Sequence, residues 1–189
     1  MGRISGFQPH KLFVAALVSS DLDVDRVRRT VAERFGPIDS ELAARPFTFS
    51  SYYDEEMGSG VVRTIFSIDP LVDPAELASL KERSNTIEAE HARPRSASGA
   101  QGRTINLDPG LLSLSRVILA TTKASAHRIP IRDGLYAEIT LVYRHGRYAP
   151  LEWTYPDYQS DDFVSWLGSV RTRYHEQLRE IDSKRPWRL

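Results

Sequence analysis

The chain contains no cysteine, which excludes disulfides, thiolate metal sites and cysteine nucleophiles together and gives no support to an oxidising compartment. Cytoplasm is the expectation. A charge of one sign is also missing: Lys plus Arg and Asp plus Glu each number 25, so no net field gathers DNA, an anionic membrane or a polyacidic partner. Any anion site has to be local. No apolar run approaches the ~20 residues of a membrane span. Leu12 to Val18 is the stretch most like a signal-peptide core, but it is short, lacks a small-x-small cleavage site and leads into a capped helix pattern, so a buried strand is expected there. Gly6 breaks the myristoylation pattern that Gly2 would open. Neither Gly-x-x-x-x-Gly-Lys-Ser/Thr nor a Gly-x-Gly-x-x-Gly after the first strand is present, the five His are scattered, and no Ser sits in a nucleophile elbow. Nothing in the pattern supports a Walker-type GTPase or a catalytic triad.

What is present fits one compact domain over residues 1–189, with 41% hydrophobic and 26% charged residues, close to the globular average. After the Leu12 to Val18 strand, Asp21-Leu22-Asp23 offers N-cap oxygens, and Val24, Val27, Val31 and Phe35 recur at helical spacing until Gly36-Pro37. Pro46 to Phe49 reads as a second strand, and Gly60 opens a third in which Val62, Thr64, Phe66 and Ile68 share a face. Asp73-Pro74-Ala75-Glu76 combines a cap, an N1 proline and an N3 glutamate, opening a helix to about His91. Arg93 to Gly102 has the composition of a mobile loop, and Arg103 to Leu107 supplies a fourth strand. The order β-α-β-β-α-β fits the ferredoxin-like split βαβ motif for residues 1–107, in an α+β domain.

Residues 108–189 are expected to pack on that half as a helix, a meander and a second helix. Asp108-Pro109 opens a segment whose Leu111, Leu112, Leu114, Val117, Ile118 and Leu119 occupy almost every side of a helix, so a buried helix to Lys123 is predicted. Asp133-Gly134 and His145-Gly146 lie between extended runs and read as two-residue hairpin turns. A three-stranded antiparallel meander follows, over His127 to Arg132, Leu135 to Arg144 and Arg147 to Trp153. Phe163, Trp166, Leu167, Val170, Tyr174, Leu178 and Ile181 give a long C-terminal helix with one apolar face.

The segments Tyr52-Tyr53-Asp54-Glu55-Glu56-Met57-Gly58, Asn106-Leu107-Asp108-Pro109-Gly110, Leu119-Ala120-Thr121-Thr122-Lys123, His127-Arg128, Tyr136-Ala137-Glu138 and Trp153-Thr154-Tyr155-Pro156-Asp157-Tyr158 together resemble the bacterial family called domain of unknown function forty-four sixteen. The resemblance spans nearly the whole chain, and the Trp153 to Tyr158 hexapeptide is its most specific mark. It implies membership and carries no activity, cofactor or catalytic residue with it.

Two-residue turns place Ile129 and Trp153 opposite Glu138, and His127 opposite Thr140, so one face of the meander carries His127, Glu138, Thr140 and Trp153. A carboxylate beside an imidazole and an indole suits acid–base work, which makes Glu138 and His127 the candidate catalytic pair. The plainer alternative is a solvated strand surface with a cross-strand ion pair. Leu135, Ala137, Ile139, Leu141 and Tyr143 form the expected core face, with Arg128 and Glu152 flanking Ile139. Free N–H groups at Asp108-Pro109-Gly110 could hold an anion with Arg103 or Arg128, although Asp108 is expected to cap its own helix. Asp54, Glu55 and Glu56 offer oxygen ligands for a divalent cation, but consecutive exposed acids are more often simply solvated, and no metal is assigned. Trp153, Tyr155 and Asp157 sit on an aromatic loop that either closes the core or binds something.

Two function classes follow. One is a small-molecule-binding domain or enzyme for an anionic metabolite, using Glu138 and His127 with Arg128, Arg103, Asp108, Trp153, Tyr155 and Asp157. The other is a non-catalytic protein-interaction domain presenting the Trp153 to Tyr158 loop. RNA binding ranks third: Leu12-Phe13-Val14 fits the first-strand motif of RNA-binding sheets, but Val62-Arg63-Thr64-Ile65-Phe66 lacks the paired aromatics and glycine of their third strand. Cofactor, oligomeric state and substrate are not legible in the pattern.

Overall fold

A computed structural model describes residues 6–50, 52–94 and 101–184. Strand β1 (His10–Val18) is the organising element, because its nine residues are all buried and alternate between two cores. Leu12, Val14, Ala16 and Val18 face helices α1 (Val24–Phe35) and α3 (Leu77–Glu90). Phe13 and Ala15 face the long helix α4 (Asp161–Lys184) on the other side of the sheet. Each large apolar side chain that β1 takes out of water contributes ~1.5–3 kcal/mol. Its uninterrupted apolar sequence is the pattern of a strand covered on both faces.

The remaining elements are β2 (Ile38–Pro46), the single turn α2 (Asp54–Met57), β3 (Val62–Val72), the pair β4 (Arg93–Pro94) and β5 (Gln101–Gly102), β6 (Ile105–Leu112), β7 (Arg116–Thr121), β8 (Ile129–Arg132), β9 (Leu135–Arg144) and β10 (Arg147–Pro150). The main sheet has eight strands, with neighbours in the order β10-β9-β7-β6-β1-β3-β2 and β8 also on β9, every pairing antiparallel. The chain is therefore a mixed α+β fold with four α-helices among the described residues. Asp23 caps α1 by accepting from Asp25 N, and Gly36, at φ +121°, ends it. Asp73 accepts from Ala75 N and opens a short 3₁₀ turn, Pro74–Glu76, that leads into α3. Of the loop expected over Arg93 to Gly102, residues 95–100 lie outside the described residues, and β4 and β5 on either side pair with each other.

The predicted helix from Asp108 to Lys123 does not exist. That stretch is the end of β6, a turn at Ser113 to Ser115, and β7. A strand buried on both faces and a helix buried on all sides share one apolar signature, and periodicity cannot separate them. Gly110 favours the strand: a Cβ on it would lie 2.2 Å from Cζ of Phe13, so only glycine lets β6 pass over that ring. Asp108 is consequently no helix cap and presents no helix terminus to an anion. The second strand ends at Pro46 instead of covering Pro46 to Phe49, and the fourth extends to Leu112.

The predicted meander is also rearranged. Both hairpin turns have two residues, and His145 and Gly146, at φ +50° and +84°, make the expected turn between β9 and β10. However, β7 occupies one edge of β9, so β8 and β10 share the other edge end to end. The β10 strand stops at Pro150, short of Trp153.

Candidate functional site

The site arises where the sheet divides. Strand β7 pairs with β6 only from Gly110↔Leu119 to Leu112↔Val117, then diverges while staying paired to β9 as far as Thr121↔Tyr136. The edge of β6 over Ile105 to Asp108 thus has no strand against it on that side among the described residues. Helix α3 supplies the missing partners: the Glu88 carboxylate accepts Leu107 N–H at 2.7 Å, and Lys81 Nζ donates to Leu107 O at 2.9 Å. A cavity of about 380 Å³ occupies the fork.

Cross-strand pairing fixes the cavity floor. Arg63 on β3 and Asn106 on β6 both lie opposite Leu17 of β1, and Asp108 lies opposite Ala15. Arg63 is 6% exposed. Its NH2 is paired to Asp157, while Nε and NH1 are buried with no hydrogen-bond partner among the described residues. The rings of Phe47 and Tyr158 lie 5.4 and 5.3 Å from its guanidinium carbon. Burial opposes its charge, but the Asp157 and Asp108 carboxylates outweigh that and hold its pKa above the ordinary arginine value. Asp108 accepts from Lys81 Nζ at 3.1 Å and from Asn106 Nδ2 at 2.7 Å. Burial alone would raise its pKa, yet the Lys81 and Arg63 charges prevail and keep it below the usual range. Burial pushes the Tyr158 phenol well up, so it stays neutral, and its hydroxyl is likewise unpaired.

The wall on the β7–β9 side carries Glu138, 3% exposed. Its Oε2 accepts from Arg128 Nε at 2.6 Å and His127 Nε2 at 3.2 Å, and no described residue donates to Oε1. The same Arg128 donates to Lys123 O and to the Tyr155 hydroxyl. His127 stacks on Trp153 with ring centroids 4.7 Å apart, and Trp153 Nε1 donates to Ile139 O. In the tautomer that donates Nε2–H to Glu138, His127 Nδ1 accepts the Ser125 hydroxyl at 3.1 Å. Ser125 lies outside the cavity lining.

The predicted cluster of Glu138, His127 and Trp153 therefore forms, although the register argued for it is wrong. Ile129 pairs with Ala137 rather than Glu138, because an irregularity between Pro130 and Arg132 adds a residue to β8. A second bulge on β9 sets Ile118 opposite Ile139 and Val117 opposite Leu141, so Ile139 and Leu141 face opposite ways. Leu141 is buried in the α4 core and Ile139 is exposed, which breaks up the expected core face. Arg128 pairs with Glu138 and not with Glu152.

Six of the eight candidate residues line the cavity: Glu138, Arg128, Arg103, Asp108, Tyr155 and Asp157. His127 and Trp153 stand behind Glu138, outside the lining. Arg103 is spent on Glu56 at 2.6 Å, Asn106 at 2.7 Å and Glu88 at 3.2 Å. Glu56 of the acidic run is thus an arginine partner, and no metal-holding group of three or more His, Asp or Glu occurs among the described residues. Sequence reading missed Arg63, Lys81, Glu88 and Lys123. The signal for Arg63 was a cation inside an otherwise apolar strand. For Lys81 and Glu88 it was polar residues at helical spacing from Leu77, on the inward stripe of α3.

No helix among the described residues is long and apolar enough to cross a membrane. No curated protein and no solved structure matches the chain. Residues 8–174 match the family described as Domain of unknown function (DUF4416), and the chain belongs to that family.

Proposed function

We propose that the chain binds a small organic anion in the cavity at the β6–β7 fork. The observation that carries this reading is the pair of unpartnered, buried guanidinium nitrogens of Arg63 on the cavity floor. A buried donor left unmet loses ~1–3 kcal/mol, more when charged, and an oxyanion drawn from the cavity onto the guanidinium would offset that loss. The four carboxylates of the lining, Glu88, Asp108, Glu138 and Asp157, already face cations, whereas Lys123 meets only the face of Tyr52, 4.4 Å away, among the described residues. Lys123 is thus the lining cation with no carboxylate against it among the described residues. Glu138, with Oε1 open and Oε2 held by Arg128 and His127, is the group suited to accept a proton or a donor from the same ligand, and any acid–base chemistry is assigned to it.

The β6-β1-β3-β2 order, with α1 and α3 as crossovers, supports a ferredoxin-like reading of the first half. Under that reading the ligand sits where the added strands leave this core. A docking role for the Trp153 to Tyr158 loop has less behind it, because Thr154, Asp157 and Tyr158 are buried and Trp153 is tied to Ile139. A cytoplasmic metabolite is the expected class of ligand.

The test is a thermal-shift titration with inorganic phosphate and with acetate, against chloride at matched ionic strength. A saturable rise in melting temperature is expected with at least one probe. Arg63→Gln should weaken it by about ten-fold or more, while Arg63→Lys, which keeps the charge beside Asp157, guards against simple misfolding. No saturable shift, or equal affinity in a folded Arg63→Gln protein, would sink the reading.

A further inference from the structure

We infer that the anion carries a planar aromatic ring, its charged end on Arg63 and its ring at the cavity mouth between Phe49 and Tyr155. This rests on the anion-binding reading above and adds the chemical class of the ligand.

Exposed aromatic surface is concentrated at this mouth. Phe49, Tyr52 and Tyr155 line the cavity and are 43%, 61% and 46% exposed. Rings left that open forfeit apolar burial that they would gain against a partner face. They are also held in place. Phe49 packs on Phe47, ring centroids 5.9 Å apart, and Phe47 in turn faces the Arg63 guanidinium. Tyr155 is fixed through its hydroxyl by Arg128, which is anchored on Glu138 and on Lys123 O. A preset aromatic mouth loses little conformational entropy when a ring enters.

The wall chemistry discriminates against the alternative of an aliphatic acid. Only Leu119, Ala120 and Pro156 of the lining are aliphatic, against six aromatic residues. Aromatic pairs gain from offset or edge-to-face geometry beyond area alone, and an alkyl chain does not reproduce that gain. Lys123 lies over the Tyr52 ring and Arg128 donates to the Tyr155 hydroxyl, so cations border the same rings that would receive the ligand. A volume near 380 Å³ accommodates a single ring with a phosphate or carboxylate, and lies toward the small end of ligand pockets.

Four probes test this by titration calorimetry: phenyl phosphate with methyl phosphate, and benzoate with acetate. The aryl member of at least one pair is expected to bind about five-fold or more tightly than its alkyl partner. The pair that shows the gain identifies the headgroup as phosphate or carboxylate. Phe49→Ala and Tyr155→Ala should each bring that affinity ratio toward one. Aryl and alkyl probes binding equally would overturn the aromatic assignment and leave the anion site intact. If none of the four binds, both readings fall together. A ratio unchanged in folded Phe49→Ala and Tyr155→Ala proteins also overturns it, because the gain would then arise elsewhere.

Discussion

Gly110 of β6 is the cross-strand partner of Phe13 of β1 and lies against its ring. A methyl group there would meet three atoms of the Phe13 ring at 2.2 to 2.7 Å, and Phe13 is itself fully buried against Phe163 and Trp166. Overpacking of this kind costs ~1–3 kcal/mol or more. Gly110→Ala should therefore lower the urea midpoint by an amount equivalent to at least ~2 kcal/mol with little change in slope, and an unaltered midpoint would show that the ring has somewhere to go. Residue-level chemistry was partly legible in the chain. The carboxylate of Glu138 and the cation of Arg128 stood out because they interrupt apolar strand patterns, and both reached the cavity. Arg63 carried the same signal but lay in a strand assigned to the core, where its opposite face of Ile65 and Ser67 gave no hint of a floor. Asp108 was singled out for a helix cap and became instead a mid-strand ion-pair partner of Lys81.

At the scale of elements, the fork between β6 and β7 depends on α3 acting as a substitute strand for one residue. Glu88 and Lys81 meet the backbone N–H and C=O of Leu107, as a paired strand would. Burial pushes the Glu88 carboxyl above its usual range, against the pull of Lys81, so the ion pair is held at an electrostatic disadvantage that the backbone bond offsets. Glu88→Ala is expected to destabilise by ~2–3 kcal/mol, because it leaves a buried N–H unmet, and Glu88→Gln by less than half of that, since the amide oxygen still accepts. Denaturation of the two variants side by side checks the ratio. Equal losses would mean that the charge, and not the hydrogen bond, sustains the fork. The helices of the first half were readable because caps, prolines and period agreed, as in α1 and α3, whereas β2 lies at Ile38–Pro46, ahead of the strand expected over Pro46 to Phe49. Those of the second half were not, since an apolar run buried on both faces mimics a helix and single-residue bulges on β8 and β9 reverse parity without leaving any mark in composition.

Over the whole molecule, the two layers of helices are tied through one strand, and this bears on how the chain unfolds. Lys11 on β1, fully buried, donates to Asp39 of β2 at 2.5 Å, to Asp69 O of β3 at 3.1 Å and to Gln177 of α4 at 3.0 Å. The Tyr174 hydroxyl of α4 donates to Pro9 O at 2.7 Å, just before β1. Of the nine residues of β1, Leu12, Val14, Ala16 and Val18 fill the α1–α3 core and Phe13 and Ala15 the α4 core. Neither core can open without removing β1 from the other, so residues on both sides of position 107 should melt as one unit. In urea, far-ultraviolet circular dichroism and the fluorescence of Trp153 and Trp166, read in a Trp187→Phe variant because the chain has a third tryptophan, should give coincident midpoints, and calorimetric and van't Hoff enthalpies should agree. Trp153 reports the β8–β9 end of the sheet and Trp166 the α4 core, so the two probes sample opposite reaches of the second half. A fluorescence transition well below the circular dichroism midpoint would mean that β7 to β10 unfold first around the fork, and would divide the chain into two cooperative units. Saturating the cavity with whichever anionic probe binds separates the cases further. In a single unit every transition moves up together, whereas in a divided chain only the transition of the segment lining the fork does.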